Sequence, residues 1–360
     1  MTLVQMSVFS KIGLQIPANA GILHIFNPET DYALASDAAS YTPPAIVADL
    51  RRRGALLPLR FAAPGDAILC LDDPNPADVA AARDSHPDVE IISPAETRSF
   101  FARRSAQHRL PFILPWGWNR ALRNTLIHLG APPHILPSED YIDRLRHLSH
   151  RRTTIRFNSR LNAFLAEAGV AGRHLSPLPV EFTDADEAAD WAETHYPAFF
   201  KAPWSSSGRG ILYTGDIDHS TRVRPWLKGI VKRQGSVIGE TAAEKALDFA
   251  TEFFISSAAD GSAKVDFIGL SVFNASERGK YHGNVDAPQS RLLEIIRSAA
   301  PDFGKTFIEA QRAVLAETVG DYRGPVGIDM LATPDGTIRA CIEINFRLTM
   351  GQVSMLNVEF

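Results

Sequence analysis

Cysteine is nearly absent. The 360 residues hold two, Cys70 and Cys341, too few for a disulfide scaffold. Each sits in an apolar run, Ala-Ile-Leu-Cys-Leu and Arg-Ala-Cys-Ile-Glu, and reads as a small buried hydrophobe in a reducing, cytoplasmic setting. No stretch approaches the ~18 consecutive apolar residues of a membrane span, so no membrane partner is expected. Charge is nearly balanced: 37 Lys and Arg against 41 Asp and Glu leave −4. Basic runs stop at three residues, Arg51 to Arg53, which is no footprint for nucleic acid. The phosphate-binding patterns Gly-x-x-x-x-Gly-Lys-Ser/Thr and Gly-x-Gly-x-x-Gly are both missing. No Ser/His/Asp or Cys/His arrangement suggests a protein nucleophile. His147 and His150 stand three apart on a predicted helix, but no third ligand completes a zinc set. Residues 1–20 end in Ala18-Asn19-Ala20, yet Lys11 interrupts the apolar part and no basic residue precedes it. A leader ahead of the first strand is expected there rather than a signal peptide.

What is present is an ordinary globular composition, 45% hydrophobic and 22% charged. At about 100–200 residues per domain the length predicts two or three packed units. Gly21 to Phe26 reads as a strand, broken by the turn residues Asn27-Pro28-Glu29-Thr30-Asp31. Strands follow at 66–71 and 89–92, with helical stretches at 45–53 and 78–83 between them. This alternation predicts a parallel sheet with helices on its faces over residues 21–139. A ligand in such a sheet sits beyond the carboxyl ends of the strands, which places the Asn27–Asp31 loop near a substrate.

From residue 140 onward the pattern changes. Ser176-Pro177-Leu178-Pro179 is a linker, and strands at 198–202, 211–213 and 236–239 surround a helix at 221–234. Longer strands are predicted at 247–255 and 264–273, helices across 287–319, and a final pair of strands at 326–332 and 337–346.

Two segments carry chemistry. In the first, a strand delivers Lys201, and Ser205-Ser206-Ser207-Gly208-Arg209-Gly210 follows. A loop of small residues lets backbone N–H groups close around phosphate oxygens, with the lysine as a mobile cation beside them. In the second, Thr333-Pro334-Asp335-Gly336 joins two apolar strands into a predicted hairpin. Asp329 lies six residues before Asp335 and Glu343 eight after it, so the arms bring both carboxylates to one height. Alternation puts Glu343, Asn345 and Arg347 on one face and Ile342, Ile344 and Phe346 on the other. Two carboxylates and an amide oxygen are hard donors suited to Mg²⁺.

With these residues the chain resembles the ATP-grasp superfamily, the carboxylate–amine ligases that include biotin carboxylase and D-alanine–D-alanine ligase. The resemblance covers roughly residues 140–352. It implies an α/β domain with a parallel sheet over 21–139, then a two-part α+β ATP-grasp domain over 140–360 with its ATP lid at about 176–240. It implies ATP and Mg²⁺ (or Mn²⁺) as cofactors, with Asp329, Glu343 and Asn345 on the metal. Lys201 and the loop Ser205, Ser206, Ser207, Gly208, Arg209, Gly210 would hold the phosphates. Ile238, Gly239 and Glu240 match the connecting strand that reads the nucleotide, and Arg347 the arginine that faces the reacting phosphoryl group. Relatives carry an earlier phosphate-binding lysine where this chain has Ser149-His150-Arg151-Arg152, so an arginine is expected there, Arg151 or Arg152, with Arg152 taken for the nucleotide set. Glu252 matches a polar strand position without an assigned role. The activity implied is an ATP-dependent ligase that joins a small-molecule carboxylate to an amine or other nucleophile through an acyl phosphate. The acidic balance permits a homodimer, the commonest closed assembly. A small-molecule kinase and a nucleotide-binding module without chemistry remain open alternatives.

Overall fold

Short apolar runs cut by Pro, Gly and Asp give short strands, and the first half of the chain is built that way. The computed structural model describes residues 20–206, 208–215, 222–275 and 281–356. The predicted leader, apart from Ala20, lies outside the described residues. The chain divides into two units, residues 1–146 with 347–349 and 356–360, and residues 147–346 with 350–355.

In the first unit, β1 (Ile22–Ile25), β2 (Ala67–Leu69), β3 (Glu90–Ile92) and β4 (Phe112–Pro115) form one parallel sheet in the order β3-β2-β1-β4. The helices are α1 (Thr30–Ser36), α2 (Ala45–Arg53), α3 (Pro76–Ser85), α4 (Pro94–Ala106), α5 (Arg120–His128) and α6 (Glu139–Leu148). Leu23, Ile25, Leu69 and Ile113 pack with Phe100, Phe101 and Leu126 on one face, while Ile68 and Ile91 pack with Ala55 and Ala82 on the other. A sheet buried on both faces needs continuous apolar strands, which is what the sequence shows. α1 corrects the plain turn expected at 27–31. Its helix-compatible Tyr-Ala-Leu-Ala continues directly from the turn residues. α6 carries the first unit past residue 139, because Glu139 and Asp143 pair with Arg120 and Arg146 donates to the carbonyl of Leu34.

The second unit opens with α7 (Arg152–Glu167) and then forms two antiparallel sheets. The smaller has the order β5 (Val180–Phe182), β8 (Val237–Thr241), β6 (Ala198–Lys201), β7 (Ile211–Tyr213), and one face is covered by α8 (Ala185–Thr194) and α9 (Arg224–Gln234). Asp184 starts α8 by accepting from the N–H groups of Asp186 and Glu187. Phe200, Val237 and Leu227 fill the core between sheet and helices. The larger sheet has the order β11 (Tyr281–Asn284), β10 (Ala263–Ala275), β9 (Leu247–Ser257), β12 (Gly324–Ala332), β13 (Ile338–Asn345). α10 (Gln289–Ala299) and α11 (Lys305–Thr318) pack on it, and α12 (Met350–Leu356) follows.

Candidate functional site

The free face of the smaller sheet is where Lys201 belongs. Alternation sends Phe200 into the core and leaves Phe199 and Lys201 on the opposite face. Glu240 stands opposite Phe199 in the β6–β8 pairing, so the lysine reaches diagonally across the strands and forms an ion pair with it. Lys201 is 6% exposed, so this is a buried cation with a matched acid.

The hairpin forms as its sequence predicts. Asp329 pairs directly with Glu343, and Gly327 with Asn345. The turn is held by Asp335, which accepts from Thr333 and Thr337, and these bonds lower its carboxyl to about 2. Asn345 donates its Nδ2 to Asp329 at 3.2 Å. Pairing is irregular between Asp329 and Leu331, and Ile342 lines the same cavity as Glu343. Strict alternation, which puts Ile342 on the opposite face, fails at that irregularity.

One cavity of about 510 Å³ brings these parts together within the second unit. Phe199, Lys201, Ile211, Tyr213 and Glu240 line it from the smaller sheet, and Asp329, Met330, Leu331 and Glu343 from the larger. Ala242 to Lys245, the connection from β8 to β9, closes one side with Asp248. Burial pushes the Asp248 carboxyl up, against the lowering effect of its partner Lys245. The lining thus combines apolar walls, as a planar aromatic ligand needs, with two lysines and five acids.

Arg151, just ahead of α7, reaches the hairpin. It is 6% exposed. Its Nη2 donates to Glu343 at 2.6 Å, and its Nη1 donates to Ser205 Oγ at 2.7 Å and to the carbonyl of Ala202. Its Nε is buried with no hydrogen-bond partner among the described residues. Arg151 therefore ties the loop after Lys201 to the expected metal ligand. Arg152, the arginine taken for the nucleotide set, instead pairs with Glu181 at 2.8 Å and is about half exposed. His150 separates their roles by accepting from the Arg152 N–H and packing edge-on against Trp204.

Ser205 is buried under Arg151, and the Ala202 N–H donates to the Gly210 carbonyl across the loop. Gly208 and Gly210 have φ of 72° and 75°, a conformation that side chains disfavour. A Cβ on Gly210 would also lie 2.8 Å from Ser205 Cβ. The cavity takes Lys201 and Ile211 from the two ends of the loop rather than Ser205, Ser206, Gly208, Arg209 or Gly210 among the described residues. Ser207 lies outside the described residues. In β8, Ile238 is buried, and Gly239 turns toward Phe182, Phe200 and Trp191, so of this strand's expected residues Glu240 faces the cavity.

Glu252 is fully buried on β9, accepts from Ser271 at 3.0 Å, and lies in register with Gly327, hence in one row with Asn345. Arg347 belongs to the first unit, where its Nε donates to Asp31 at 2.9 Å. Sequence reasoning missed Asp248 and the 242–245 connection, and it left open which of Arg151 and Arg152 enters the site.

The donor set of Asp329, Glu343 and the Asn345 amide fits Mg²⁺: all are hard oxygens, with no thiolate or imidazole among them. No group of three or more His, Cys, Asp or Glu residues among the described residues is arranged to hold a metal. A divalent ion on this hairpin would draw its other oxygens from water or phosphate, as Mg²⁺ commonly does. No helix among the described residues is long and apolar enough to cross a membrane.

No family model and no curated protein sequence matches the chain. Solved structures similar to it include a biotin carboxylase from Campylobacter jejuni in a βγ-ATP complex, at 14% identity and a TM-score of 0.47, covering 95% of this chain and 71% of that one. An N5-carboxyaminoimidazole synthetase from Staphylococcus aureus complexed with ADP is similar at 12% identity and a TM-score of 0.45, covering 91% and 71%.

Proposed function

We propose that the chain is an ATP- and Mg²⁺-dependent ligase that activates a small-molecule carboxylate as an acyl phosphate for attack by an amine or another nucleophile. The observation that carries this reading is the single cavity lined by Lys201 and Glu240 of one sheet and by Asp329 and Glu343 of the other. Its apolar walls suit a purine, and its charged groups suit phosphates beside a divalent ion.

Asp329, Glu343 and Asn345 would hold Mg²⁺, which would supply neutralisation of phosphate charge. Lys201 exchanges Glu240 for a phosphate oxygen when nucleotide enters. Arg151 fixes both the loop and the Glu343 carboxylate, so that acid meets the ion already oriented. The substrate carboxylate attacks the γ-phosphorus, ADP leaves, and the nucleophile then displaces phosphate from the acyl phosphate. No protein nucleophile is required.

The test is thermal stability with and without a non-hydrolysable ATP analogue plus Mg²⁺, in wild type, Lys201→Ala and Glu343→Ala. A ligand that binds the folded state raises the melting temperature. A Mg²⁺-dependent rise that is lost in both variants is expected, followed by ADP release in a screen of acid–amine pairs. A rise that survives in both variants would overturn the site. Stable phosphorylation of an acceptor without a nucleophile would replace ligase by kinase.

A further inference from the structure

A second cavity, of about 220 Å³, lies wholly inside the first unit and has no part in the chemistry above. Its lining comes from residues that follow each of the four strands: Glu29 after β1, Leu71 after β2, Pro94 after β3 and Asn119 after β4. With the order β3-β2-β1-β4 the chain reverses direction across the sheet between β1 and β4, which is where open parallel sheets bind ligands.

We infer that this cavity is a binding site for a small primary ammonium compound with an apolar body, and that Glu29 is the residue that holds its ammonium group. Glu29 is 7% exposed. Arg51 donates to its Oε1 at 2.7 Å, while Oε2 is buried with no hydrogen-bond partner among the described residues. A buried carboxylate oxygen without a donor is costly, and an ammonium N–H is the group that satisfies it.

The neighbours select the sign of the ligand. Three of the five N–H donors of Arg51 are engaged by the two acids: Nε and Nη2 on Asp72 at 2.6 and 2.8 Å, and Nη1 on Glu29. An anionic ligand would meet the two carboxylates already on that guanidinium and be repelled by them. Two acids share one guanidinium, so the cluster has room for one more positive charge. Asn119 is also occupied, accepting from the Leu122 N–H and donating to Thr30. Ala33, Leu71, Leu122 and Leu129 give apolar wall that fits an alkyl or small aromatic body, and Tyr41 and Thr125 add the remaining polar side chains. At a share of about 30 Å³ per water the volume holds about seven waters, so the ligand has roughly seven to ten non-hydrogen atoms. Burial raises the Glu29 carboxyl against the lowering effects of Arg51 and of its own backbone N–H.

Isothermal titration of the full chain with n-hexylammonium, 1-hexanol and hexanoate, without nucleotide, tests the site apart from the ligase reading. Saturable binding of hexylammonium is expected, with hexanol and hexanoate weaker by roughly tenfold or more. Glu29→Gln keeps the shape and should weaken hexylammonium by a similar factor. Thr125→Phe, which fills the cavity from α5 without touching the Glu29 charge, should abolish binding; it decides the matter if Glu29→Gln fails to fold. Absence of saturable binding, hexylammonium affinity unchanged in folded Glu29→Gln or in Thr125→Phe, or tighter binding of hexanoate, would each overturn the assignment.

Discussion

In the second unit Glu240 and Glu343 each have a cation of their own: Glu240 takes Lys201, and Glu343 takes Arg151. In the first unit Glu29 shares Arg51 with Asp72 and keeps one oxygen bare. The contrast separates two ways of receiving a ligand. A matched pair admits one by exchange, so phosphate must take Lys201 from Glu240. An incomplete cluster admits one by addition, with no existing bond to break.

The largest expected effect comes from unmatching the second unit. Arg151→Met removes the cation from Glu343 and the donors from the Ala202 carbonyl and Ser205. Breaking one side of a buried pair costs about 3–5 kcal/mol, so urea unfolding should show a loss of about that size. A loss under ~1 kcal/mol would mean that Glu343 is solvated and that the matched-pair description fails. A smaller effect is expected from the loop that Arg151 ties down. Gly210→Ala forces a side chain into a left-handed backbone and against Ser205, and should lower stability by about 1–3 kcal/mol in thermal melts.

The smallest and most discriminating effect is on pH dependence. Burial raises both Glu29 and Asp248 above their usual 4.5 and 3.8. A raised acid contributes stability that is fully present below its unfolded value and is lost as pH rises through its folded value. Unfolding free energy should therefore fall with rising pH from about 4 upward on account of these two groups. Arg51, Asp72 and Tyr41 face Glu29, and Lys245 faces Asp248. Glu29→Gln and Asp248→Asn should each flatten part of that slope, measured as urea midpoints across pH. If hexylammonium also flattens it in wild type but not in Glu29→Gln, the addition mode is the right account of the first unit.

The sequence made the hairpin legible because turn chemistry and a two-residue period both act locally. Asp329 and Glu343 face each other as the count from Asp335 predicts. Alternating short strands and helices likewise announced the parallel sheet. The failures are non-local. Arg151 and Arg152 are adjacent and chemically identical, and their roles are set by what lies across the fold, Glu343 and Glu181 respectively. Ile342 reaches the cavity through an irregularity in pairing that no pattern marks. Glu29 sits among turn residues, and its isolation from a second donor depends on Arg51 turning toward Asp72.

The chain's path between its two units has a consequence for biosynthesis. Residues 347–349 belong to the first unit, where Arg347 pairs with Asp31 and the Leu348 N–H donates to the Trp116 carbonyl. Between residue 146 and that return lie the 200 residues of 147–346. At roughly 5–20 residues per second, translation takes about 10–40 s to supply them. The first unit thus emerges from the ribosome with Asp31 lacking its arginine, and it waits through the synthesis of most of its neighbour before its last strand-end contacts are delivered.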